Sequence, residues 1–217
     1  MIVPATLTAG APKDLRLEYR RNASGIYTAV LDNKRDAAVT AYIAEASFSD
    51  GARERHSAMG GDTLGFTNGE DAELPPLRAT DTGRPLPRNE PASATRVLAA
   101  IFADGVTEGE DEVVAMLLSG RHRALADLDE SVKMLAQAPS AERALTFFQA
   151  MQTRDQEEGA TLDELQDAPG RMRYRYFVSA VPSSALQILQ SGGSPALLLP
   201  KFRDWQKRLA ASKPDVR

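Results

Sequence analysis

Near residue 106 the apolar residues change their period, and that change constrains the fold more than any other feature of the sequence. Before it, apolar and polar residues alternate in short runs, as on strands whose successive side chains face opposite ways. After it, apolar residues recur every three or four positions, the spacing of one helix face. A chain with strands first and helices afterwards reads as segregated α+β. We expect a β-sandwich over residues 1–106 and an all-α helical domain over residues 107–217, since 217 residues suffice for two small domains.

In the first half Leu15, Leu17 and Tyr19 share one face of a strand, and Asn22–Gly25 turns the chain. Ile26–Leu31 is the next strand, Asp32–Asp36 a second turn, and Val39–Phe48 a third strand. Arg96–Ala103 is almost continuously apolar, which implies burial on both faces. Two strands end alike, in Ala46-Ser-Phe-Ser-Asp50-Gly51 and Ala100-Ile-Phe-Ala-Asp104-Gly105. Asp-Gly is a turn signal, and neither copy has the alternating oxygen ligands of a calcium loop. Between them, Gly60, Gly61, Gly65 and Gly69 punctuate a stretch with the look of a small hairpin. Pro75, Pro76, Pro85, Pro87 and Pro91 mark an extended connection or an edge strand, because proline cannot donate to a sheet ladder.

The run from Tyr27 through Asn33, Val39 and Tyr42 to Ile43 resembles the second and third strands of an immunoglobulin-like module. It is also similar to a group of uncharacterised bacterial proteins in which such a module is followed by Ile-Phe-x-Asp-Gly and a helix. The resemblance covers residues 15–120 and implies an immunoglobulin-like sandwich. It carries no known active site, and the chain lacks the cysteine pair and core tryptophan of antibody domains.

In the second half Thr107-Glu-Gly-Glu110 reads as a capping box, with Thr107 as N-cap of the first helix. Its apolar stripe is Val114, Leu118, Leu125, Leu128, Val132 and Leu135, interrupted by Arg121. Pro139 ends it, Ser140 caps a second helix, and Ala144, Leu145, Phe148 and Met151 form that helix's inner face. Thr161–Glu164 reads as a separate capping box, stopped by Pro169-Gly170. Met172–Val181 fits helix, with a strand as the alternative; Ser183–Gln190 and a last helix bearing Phe202, Trp205 and Leu209 follow.

Charge is split between neighbouring segments. Residues 107–168 carry 5 basic and 14 acidic side chains, residues 169–217 carry 9 and 2. Opposite blocks favour docking of one on the other, although an exposed ion pair contributes only ~0–1 kcal/mol. Arg171, Arg173, Arg175, Lys201, Arg203, Lys207 and Arg208 are the candidate contacts for an anionic partner.

Chemistry is not signalled. The two histidines, His56 and His122, sit among arginines, and no metal-binding, nucleophile-elbow or phosphate-loop spacing occurs. We therefore expect no catalytic residues, no cofactor and no metal. The overall charge of −4 disfavours nucleic acid, and no apolar run reaches the ~20 residues that span a bilayer. The first ten residues lack the basic start and apolar run of a signal peptide. With a signal removed upstream the chain is expected in the periplasm or envelope, and otherwise in the cytoplasm. The leading expectation is a non-catalytic binding or scaffold module of the bacterial cell envelope with a protein or glycan partner. The alternatives are a hydrolase with a carboxylate-based site between the two halves, and a regulatory protein with an anion-binding C-terminus.

Overall fold

In the computed structural model, residues 7–9, 12–49, 54–64, 74–85, 92, 94–164 and 179–214 are described, without side chains for 7–9, 49, 54–58, 82–85 and 158–164. The chain forms β1 (Leu7–Ala9), β2 (Leu15–Arg21), β3 (Tyr27–Asn33), β4 (Val39–Ser49), β5 (Glu54–Asp62), β6 (Arg78–Pro85), β7 (Ala94–Phe102) and β8 (Thr107–Gly109). Four helices follow: α1 (Asp111–Leu135), α2 (Ala141–Glu164), α3 (Ala180–Gln190) and α4 (Pro195–Ala210). Strands thus precede helices, the α+β order that the change of period predicts. The compact units are Met1–Gly61 with Ala72–Ala115, and Asp62–Asp71 with Met116–Arg217.

The β unit holds a five-stranded sheet in the order β1-β8-β7-β4-β5 and a three-stranded sheet in the order β2-β3-β6. β2 with β3, β3 with β6, β4 with β7 and β7 with β8 pair antiparallel, and β1 runs parallel to β8. Leu15, Leu17, Ala29 and Leu31 of the smaller sheet share one core with Val39, Tyr42, Ala44, Val97, Ala100 and Phe102 of the larger. The Thr95 hydroxyl also donates to the Leu17 carbonyl at 2.8 Å, tying β7 to β2. β7 lies between β8 and β4, and Val97 through Phe102 are all buried, which accounts for its lack of alternation.

The turns follow their residue types. Gly25 takes φ +77°, and the Asn22 side chain accepts from the amides of Ser24 and Ile26. Gly105 takes φ +91°, and Asp104 accepts from the Val106 amide, so Asp104-Gly105 is a turn as expected. Its counterpart Asp50-Gly51 lies outside the described residues. So do Gly65 and Gly69 of the expected hairpin, while the Gly60-Gly61 pair lies inside β5, just before its last residue Asp62. Arg78–Pro85 is an edge strand, as its terminal proline allows.

Three sequence expectations need correction. Thr107 is not a helix cap: Thr107–Gly109 is β8, paired with Ile101–Ala99, and the helix starts at Asp111. The strand period wins here because β7 offers a free edge to the residues that directly follow its turn. Thr161 does not open a new helix, because α2 runs unbroken through Gly159 to Glu164. Finally, the buried stripe of α1 is Val114, Leu117, Arg121, Ala124, Leu128, Ser131 and Leu135, one position away from the apolar reading at Leu118, Leu125 and Val132. Pro182 falls in the first turn of α3, where the missing amide proton is tolerated.

In the helical unit, Phe148 of α2 meets Phe202 of α4 edge to face at 5.9 Å, and Phe202 meets Trp205 at 6.1 Å. These rings pack with Ala124, Leu128, Met151, Val181, Ala185, Leu198 and Leu209. Ser179 and Ser194 cap α3 and α4 by accepting from the amides of Val181 and Ala196. Among the described residues, no helix is long and apolar enough to cross a membrane.

Candidate functional site: a buried carboxylate pair

The inner face of α2 runs Ala144, Phe148, Met151 and then Asp155, the next position on the same 4-3-4 spacing. Periodicity therefore carries a carboxylate into the interior, where it is 3% exposed. On α1, Arg123, Asp127 and Glu130 recur at helical spacing along one flank, and Asp127 is 2% exposed. The two helices exchange ion pairs reciprocally. Arg123 of α1 donates to Asp155 Oδ1 of α2 at 2.9 Å, and Arg154 of α2 donates to Asp127 Oδ1 of α1 at 2.8 Å. Arg154 also reaches Glu130 at 3.2 Å.

Each aspartate keeps a second oxygen, Oδ2, that is buried with no hydrogen-bond partner. A buried acceptor without a donor costs ~1–3 kcal/mol, and more when charged. Burial pushes the Asp155 carboxyl up to about 6, helped by the negative charge of Asp127 and opposed by Arg123 and Arg154. Burial also raises Asp127; the neighbouring Ser179 hydroxyl, Arg154 and Arg123 pull it back, and Glu130 pushes it up. The charge on Asp127 thus adds to burial in making Asp155 the carboxyl that holds a proton. Below pH 6 the site can hold that proton and deliver it as an acid.

Of the residues expected to meet an anionic partner, the described ones lie elsewhere. Lys201, Arg203, Lys207 and Arg208 are on α4, whose buried face is Leu198, Phe202, Trp205 and Leu209. Arg203, Lys207 and Arg208 are exposed, Lys201 is half-buried, and Arg208 pairs with Asp204 at 3.1 Å. Arg171, Arg173 and Arg175 lie outside the described residues. His122 is exposed on α1, and the His56 side chain is outside the described set. Among the described residues, no group of three or more His, Cys, Asp or Glu is placed to hold a metal ion.

Sequence reasoning passed over Asp127 and Asp155. Asp155 had a signal, its place on the stripe of Ala144, Phe148 and Met151. Asp127 had a weaker one, an arginine four residues before it. Compared with protein-family models, with curated proteins and with solved structures, the chain finds no match.

Proposed function

We propose that the chain is a non-catalytic binding or scaffold module of the bacterial cell envelope, built on an immunoglobulin-like β unit. The observation that carries this reading is strand order. Taking β2, β3 and β6 as strands A, B and E, and β4, β5, β7 and β8 as C, C′, F and G, the sheets read A-B-E and G-F-C-C′. β1 adds to β8 in parallel. Strand D has no counterpart among the described residues. Such scaffolds present loops at the ends of rigid sheets, where recognition is built. The envelope assignment rests on the resemblance to bacterial proteins, and a protein or glycan partner suits it. The carboxylate pair supports a structural role, since an arginine answers each aspartate across the helix pair.

The second reading is a carboxylate-based hydrolase, favoured by the unpartnered Oδ2 atoms and the raised Asp155. Its candidate groups then lie within the helical unit. One experiment separates the two. The purified chain is tested for sedimentation with peptidoglycan sacculi and on glycan and peptide arrays, beside a turnover screen on glycosides, esters and peptides. The binding reading expects saturable retention and no turnover. Hydrolysis that disappears in Asp155→Asn or Asp127→Asn would replace it with the hydrolase.

A further inference from the structure

Among the described residues, the surroundings of Asp127 and Asp155 leave one negative charge unanswered. From α1 they face Arg123 and Glu130, and from α2 they face Arg154. From α3 they face the Ser179 cap; the helix itself, Ala180–Gln190, contains no ionisable side chain. Two arginines against three carboxylates leaves the cluster short of one positive charge. The two buried carboxylates are also short of a donor, because each has an unpartnered Oδ2. One proton repairs both deficits, as it removes a charge and supplies an O–H.

We propose that this junction is a proton-operated latch: the Asp127–Asp155 pair takes up one proton as the surroundings acidify, fastening α2 and the start of α3 onto α1, and loosens them when it is lost. Asp127 is the partner that keeps its charge, since it sits beside the capped N-terminus of α3, the end of a helix that favours an anion. Asp155 takes the proton. The inference goes beyond the proposed function and holds whether the chain binds or cleaves.

The direction of the pH effect follows from proton counting. The folded chain holds the Asp155 proton more tightly than the unfolded chain, whose carboxyl has its ordinary value near 3.8. Stability therefore falls as pH rises from about 4 through about 6, and levels off above that. The difference between 3.8 and about 6 is roughly a hundredfold in proton affinity.

The test is a carboxyl-carbon NMR titration of the full chain together with amide exchange. Imidazoles titrate in the same range, so a His56→Gln/His122→Gln variant is titrated in parallel. The latch expects one aspartate carboxyl to titrate near pH 6 in both proteins. It also expects Val181 and its neighbours on α3 to exchange faster at pH 7.5 than at 5.5, after correction for intrinsic rates. Asp155→Asn should abolish both effects. All aspartates titrating below pH 5, or α3 protection independent of pH, would overturn the proposal. If Asp155→Asn does not fold, the titration of the unsubstituted chain still decides the matter.

Discussion

Arg121 and Asp62, both fully excluded from solvent, meet in a two-pronged ion pair, Nε to Oδ2 at 2.8 Å and Nη2 to Oδ1 at 3.1 Å. Asp62 also accepts from the Leu64 amide, and Arg121 donates to the Lys213 carbonyl. The Trp205 indole donates to the Leu64 carbonyl, so the same short segment is held twice. Breaking a buried pair by removing one partner typically costs ~3–5 kcal/mol, because the other charge stays buried. Asp62→Ala should lower stability by about that much in urea denaturation. The double variant Asp62→Leu/Arg121→Met should recover most of the loss, and a fall of under ~1 kcal/mol in the single variant would refute the role.

Gly109 in β8 has φ +123°, and a Cβ there would sit 2.1 Å from the Leu98 carbonyl oxygen and 2.6 Å from Ala99 Cα. That carbonyl accepts from the Glu110 amide, so it is not free to turn away. Gly109→Ala should therefore destabilise by ~3 kcal/mol or more, through backbone strain and a broken β7–β8 ladder. A thermal midpoint within a degree of the parent would show that the strand can shift to make room.

Arg35 bridges Asp14 and Asp104 and lies over the Phe102 ring at 5.2 Å from its centroid. Burial acts to raise Asp104, but the Arg35 hydrogen bond and the Val106 amide outweigh it and hold the carboxyl below its ordinary value. A lowered carboxyl contributes stability above the ordinary carboxylate range and loses it as pH falls through the folded value. Asp104→Asn should flatten this acid limb, a change opposite in direction to that at Asp155. Asp104 is 40% solvent-exposed, so the effect at neutral pH should not exceed ~1 kcal/mol. Denaturation midpoints at pH 3, 4 and 7 measure it.

Phe202 and Trp205 are completely buried, whereas the Asp204–Arg208 pair on the same helix is exposed. Phe202→Ala should cost ~3–5 kcal/mol, and loss of the exposed pair at most ~1. A chain ending at Ala168 should accordingly be insoluble or far less stable, while 1 M salt changes the intact protein little. A soluble truncation melting with the full chain would show that α3 and α4 are dispensable.

Periodicity revealed most of this fold and hid its polar interior. β2, β3, β4 and β7 stood out because Leu15, Leu17, Val39, Ile43 and the Val97–Phe102 run are apolar. β8 did not, because Thr107-Glu-Gly carries a capping pattern, and only the pairing with β7 decides between strand and cap. The inner face of α1 was read one position off because Arg121 and Ser131 belong to it. A stripe found by counting apolar residues slides toward Leu118, Leu125 and Val132 when two true members are polar. Asp155 was missed for the same reason. Its neutraliser Arg123 sits on another helix, and a single sequence does not say which helices face each other.

The helical unit is not one uninterrupted stretch of chain, since Asp62–Asp71 belongs to it and is encoded ahead of β6, β7 and β8. A protein assembled by joining two ready-made cassettes end to end would show one crossing point. This one crosses three times. Grafting residues 116–217 onto a foreign carrier would leave Asp62 behind and strand the Arg121 guanidinium in the interior. On the ribosome, the β unit is interrupted by ten residues of a unit whose helices have not yet been synthesised. Asp62 must then wait for about sixty more residues to emerge before Arg121 can answer its charge.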